Sequence, residues 1–118
     1  MKAYLQPYTL RTLRQIRDDL FFSSEVRDYL KSDVVSQGDK VSFIELRTNF
    51  ALATEELEVE SLEQIAQALQ ANSDRLKEGI ANLQKSIRDV NRSVEIITAL
   101  GDLVSFARFI LQASKPPV

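Results

Sequence analysis

The chain has 118 residues, 44% hydrophobic and 27% charged, with a formal net charge of −2 and neither His nor Cys. That length holds one domain able to bury its own core, and with only three Gly and three Pro the composition is that of an ordered chain. Missing Cys excludes disulfides, thiolate nucleophiles and sulfur-ligated metals; missing His removes the commonest general acid–base and transition-metal ligand.

At the N-terminus, Met1 to Leu20 lacks the apolar run of a secretory signal. Arg11, Arg14 and Arg17, with no acid before Asp18, share the bias of organellar transit peptides, but an ordinary first helix with a basic edge accounts for them, and a cytoplasmic location is expected. Pro7 and Thr9 mark the start of that helix, with Thr9 as N-cap and Leu10, Leu13, Ile16, Leu20 and Phe21 on one face. The apolar phase changes after Ser23-Ser24, so the first helix, about 9–31, is expected to kink there; the alternative is a second short helix capped by Ser24 and ending near Lys31.

Ser36-Gln37-Gly38-Asp39-Lys40 has turn composition and predicts an interhelical loop, with a short hairpin as the alternative. Ser42 followed by Glu45 is a capping box, opening a helix over about 42–58 with Phe43, Leu46, Phe50, Ala53 and Leu57 on its apolar face. Ser61 followed by Gln64 is a second such box, and helical patterning then runs over 61–113, up to Pro116-Pro117. Unbroken, that segment would span about 78 Å, too long to bury its own apolar face, so it folds back or pairs with another chain.

Within it Leu76, Ile80, Leu83, Ile87, Val90, Val94, Ile97 and Val104 recur at helical-packing intervals. The frame shifts by four around Asn72-Ser73, which reads either as a stutter or as a break with Ser73 capping a new helix; Gly79 and Gly101 are the other candidate breaks. From Val94 to Leu111 the apolar arc is broad. Asp102 and Arg108 disfavour a transmembrane span, leaving a central bundle helix covered by the Leu10–Phe21 and Phe43–Leu57 faces, or a surface offered to a partner or membrane.

The charged clusters point to no chemistry. Glu55, Glu56, Glu58, Glu60 and Glu63 lie in a stretch, Thr48 to Asp74, without Lys or Arg, and a helix surface alone does not converge carboxylates into a metal or acid–base site. Arg75, Lys77, Lys85, Arg88 and Arg92 follow, offset by Glu78 and Asp89 and with no aromatic among them, so nucleic acid is a poor partner. Phe43, Leu46, Phe50, Leu52, Leu57 and Leu62 resemble the apolar rhythm of a helix-turn-helix, winged-helix DNA reader. The resemblance would place the base-reading helix over Thr54 to Glu63, where five acids and no base would repel phosphate.

The expectation is an all-α small helical bundle of three to four helices, a single domain over 1–118, built on a long C-terminal helix with coiled-coil-like packing. The expected function is a non-enzymatic protein–protein interaction or assembly module, without cofactor, metal or small-molecule substrate; a membrane-surface role for the C-terminal helix is the alternative. Partner-binding candidates are Leu69, Leu76, Ile80, Leu83, Ile87, Leu103, Phe106 and Ile110. The partner is another protein or a second copy, in an antiparallel homodimer centred near Asn72-Ser73 that sets acidic against basic halves.

Overall fold

The structure, a computed structural model, describes residues 8–115, of which 84% are helical with no strand among them. Six α-helices follow one another: α1 (Leu10–Phe22), α2 (Ser24–Lys31), α3 (Gln37–Leu57), α4 (Leu62–Ala71), α5 (Ser73–Ser86) and α6 (Ser93–Ser114), with a 3₁₀ turn at Val90–Arg92 before α6. The all-α bundle with a long C-terminal helix is as the periodicity predicts. Pro7 and Pro116-Pro117, offered as boundary signals, lie outside the described residues.

The boundaries differ from expectation in ways that trace to serines. Thr9 does precede α1, and the Thr12 hydroxyl accepts from the Thr9 N–H at 3.1 Å. The expected kink is a full interruption: Ser23 is extended (φ −70°, ψ 151°) and its side chain accepts from the Val26 N–H, so Ser23 rather than Ser24 caps α2.

Residues 36–40 form neither loop nor hairpin. Ser36 accepts from the Asp39 N–H at 3.1 Å and α3 begins at Gln37, so Ser42 stands inside the helix instead of capping it. Asp39 in the first turn complements the helix dipole, while a Cβ at Gly38 would meet nothing. Ser61, by contrast, caps α4 as expected, accepting from the Gln64 N–H.

The long C-terminal helix breaks twice, at neither expected glycine. Asn72 interrupts it for one residue, its side-chain amide donating to the Ala68 carbonyl at 2.8 Å, and α5 starts at Ser73. The larger break spans residues 87–92, where Asp89 is extended and its carboxylate accepts from the Asn91 N–H. There the chain reverses. Asn82 and Asp102 border one cleft, Ser86 and Ala99 another, a Cβ on Gly79 would lie 2.9 Å from Leu103, and Arg75 sits over Phe106; this descending and ascending order is antiparallel. The apolar repeat continues through the reversal in sequence but not in space, since Val94 is 72% exposed.

The core is one apolar cluster drawing on all six helices. α6 lies at its centre, packed mainly against α3 and α5 and also against α4. The cover expected for α6 comes mainly from α3 and α5 rather than from α1, which packs chiefly on α3, α2 and α4. The predicted face of α3 is right, with Phe43, Phe50, Ala53 and Leu57 fully buried and Leu46 partly so.

Candidate interaction surface

All eight sequence-predicted contact residues are buried within this one chain. Leu69, Leu76, Leu83, Leu103, Phe106 and Ile110 are at most 1% exposed, Ile87 3% and Ile80 7%. Seven of them belong to α4, α5 and α6 and Ile87 directly follows α5, and in the single chain all eight lie in the core. The reversal at 87–92 lets α5 pair with α6 within one chain, a different pairing from the acidic-against-basic one about Asn72-Ser73.

A different row reaches solvent. α3 winds through its length with Phe43, Phe50 and Leu57 inward, and about 3.6 residues per turn place Val41, Ile44, Thr48 and Leu52 together on the opposite side. Val41 is 45% exposed, Ile44 42% and Leu52 48%. The Thr48 hydroxyl donates to the Ile44 carbonyl at 2.9 Å, so its polar atom is satisfied within the helix. α3 is thus apolar on two faces, and only one is covered. The sequence carried this signal in the second apolar period of α3, which the stronger aromatic period obscured.

Phe21, one of the two exposed phenylalanines that end α1, meets α3 at Arg47, midway along the row. Arg47, three residues after Ile44, extends over Phe21 with its guanidinium carbon 4.6 Å from the ring and donates from Nη1 to the Leu20 carbonyl at 3.2 Å. Burial pulls the Arg47 guanidinium below its ordinary range, and its Nε is buried without a hydrogen-bond partner. Phe21 is 38% and Phe22 74% exposed, with rings 6.4 Å apart.

Charge around the row is uneven. Lys40 lies at its N-terminal end, Glu45 beside it, and Glu55 and Glu56 at its C-terminal end, both exposed. Glu58 is engaged elsewhere, accepting from Arg14 at 3.1 Å and lying 3.6 Å from Arg17. Of the acidic cluster, Glu58 thus tethers α1, Glu55 and Glu56 stand at the end of the apolar row, and Glu60 and Glu63 follow in the turn and α4. Among the described residues no group of three acidic side chains is placed to hold a metal ion.

Two concavities lie along the α5–α6 seam. A cleft of about 460 Å³ is bordered by Lys85, Arg92, Glu95 and Asp102, and a second of about 200 Å³ by Arg75, Glu78 and Asp102. Their charges are mixed, and Arg92 already approaches Asp89 at 3.9 Å and Glu95 at 3.5 Å. Arg75 covers Phe106 and Phe109 at 5.5 and 5.4 Å, so the basic segment is partly occupied in packing on α6.

The resemblance to a DNA reader fails at its recognition helix, because Thr54 to Glu63 spans the end of α3, a turn and the start of α4. The broad apolar arc of α6 is turned inward, with Leu100, Leu103, Phe106, Ala107 and Ile110 buried. Among the described residues no helix is long and apolar enough to cross a membrane. Compared with family models, curated proteins and solved structures, the chain matches none.

Proposed function

We propose that this protein is a non-enzymatic helical interaction or assembly module, and that it works through the outer face of α3. The observation that carries this reading is the row Val41, Ile44 and Leu52, three half-exposed aliphatic side chains on one face of a helix whose other face is already buried. Single exposed apolar residues are ordinary; a row at helical spacing matches the anchors of a helix-on-helix contact. A chain without His or Cys, whose clefts are bordered by mixed, partly paired charges, gives little support to catalysis.

The test uses Ile44→Asp combined with Leu52→Asp. Both positions point away from the core, so thermal unfolding is expected to move little. Cross-linking in the protein's own cells from Lys40, followed by mass spectrometry, should find contacts in the wild type that disappear in the double variant. An unchanged cross-link pattern in a folded double variant would reject α3 as the working surface.

A further inference from the structure

We infer that the partner of the α3 face is a basic amphipathic helix, docked lengthwise with its cationic end over Glu55 and Glu56; this rests on the reading of that face as the interaction surface. The length of the row sets the first requirement. From Val41 to Leu52 it covers about three turns, roughly 16 Å, which suits a helix presenting apolar anchors at i, i+3 or i+4, i+7 and i+11.

Charge sets the second. The face carries three acids, Glu45, Glu55 and Glu56, against two bases on its flank, Lys40 and Arg47, the latter held over Phe21 and on the Leu20 carbonyl. No Lys or Arg occurs from Thr48 to Asp74, so nothing on α3 beyond Arg47 or on α4 offsets the acids at that end. A second copy of the same face, paired antiparallel about Thr48, would set each Lys40 near the other copy's Glu55 and Glu56 but would gather six acids against four bases, two of them Arg47 already engaged over Phe21. A basic helix instead neutralises the excess, and charge of this kind chooses partner and orientation while the aliphatic row supplies contact area.

Polarity along α3 gives the orientation. Its C-terminal end carries the negative pole of the helix dipole as well as Glu55 and Glu56, and its N-terminal end carries Lys40. The occupant therefore places its Lys and Arg residues toward the α3–α4 turn and neutral or acidic residues toward Lys40. Phe21, under Arg47, provides a lateral apolar edge midway along the row, with Phe22 next to it on α1.

The experiment uses the full chain and two synthetic peptides of about five turns. Both carry Leu anchors at i, i+3, i+7 and i+11; one has Lys and Arg clustered at one end, and its twin has Glu at those positions. Binding is followed by calorimetry and by amide chemical-shift mapping.

The basic peptide is expected to bind and to shift Val41, Ile44, Thr48 and Leu52, and the acidic twin to bind at least about tenfold more weakly, a difference of about 1.4 kcal/mol. Glu55→Lys with Glu56→Lys should reverse the preference, which a merely structural effect would not do. Ile44→Asp with Leu52→Asp should abolish binding of both peptides while the amide spectrum stays dispersed. Equal affinity for the two peptides, shifts mapping elsewhere, or binding of neither would overturn the inference. A concentration-dependent dimer lost in Ile44→Asp would also overturn it, by seating a second copy on the face. If the peptides fail while the Lys40 cross-links still depend on Ile44 and Leu52, the interaction reading stands and only the assigned partner falls; loss of both rejects both.

Discussion

Tyr29 ties α2 to the start of α6, its hydroxyl 2.6 Å from the Ser93 hydroxyl and its ring 5.1 Å from that of Phe43. Burial, aided by the nearby Asp39 carboxylate, raises the Tyr29 phenol above its ordinary value of 10.0, against the opposing pull of the Ser93 hydrogen bond. A raised phenol means the folded chain holds this proton more tightly than the unfolded chain. Its contribution to stability is complete below the unfolded value and is lost as pH climbs through the folded one. Denaturant midpoints measured between about pH 8 and 11 should therefore fall at the alkaline end, and Tyr29→Phe should flatten that fall while costing about 0.5–1.5 kcal/mol at neutral pH for the lost hydrogen bond. An equally steep alkaline decline in Tyr29→Phe would place the titrating group elsewhere.

Two glycines give a second comparison at this scale. Gly101 lies inside α6, where a Cβ would meet nothing, so Gly101→Ala should stabilise by about 0.5–1 kcal/mol through helix propensity alone. Gly79 lies inside α5, where the same Cβ would come within 2.9 Å of Leu103 Cδ2. Leu103 is buried and would have to shift, so Gly79→Ala should gain less than Gly101→Ala or destabilise. Thermal unfolding of the two variants side by side decides it.

At the scale of the element, the serines decide where helices begin. Ser23, Ser36 and Ser61 each accept from an amide of the first turn, whereas Ser42, with the same sequence signature as Ser61, stands inside α3. The physical difference is upstream: Ser36 already opens the helix, and nothing from Gln37 to Val41 stops it. Ser36→Ala should cost about 0.5–2 kcal/mol, and Ser42→Ala should be neutral or slightly stabilising because Ala is the better interior residue. Chemical denaturation of both variants checks this, and equal losses would restore a helix start at Ser42. Capping boxes are legible in sequence, but one that falls inside an established helix looks identical to one that starts it.

At the scale of the whole molecule, the reversal at residues 87–92 separates a self-contained bundle from a long helix that needs a second chain. Asn82 and Asp102 are both exposed and border the same two clefts. Because the chain has no native cysteine, Asn82→Cys with Asp102→Cys can be bridged by a short bismaleimide without background. The bridge should form within one chain and leave a monomeric product on denaturing gels; a covalent dimer as the main product would show that α5 and α6 pair between chains. Apolar periodicity by itself determined the all-α class, the buried face of α3 and, of the spine, Leu76, Ile80, Leu83, Ile87 and Val104 but not Val90, Val94 and Ile97, because burial of a helical stripe follows from 3.6-residue spacing wherever the partner lies. The candidate surface was not legible in the same way. A buried stripe and a docking stripe have the same sequence pattern, and only packing of α6 between α3 and α5 decided that Leu76, Leu83 and Phe106 are interior while Val41, Ile44 and Leu52 face solvent. Periodicity also cannot register a chain reversal that keeps its own spacing, since Ile87, Val90 and Val94 continue the repeat while the backbone turns back on itself; the tertiary fold alone placed that turn.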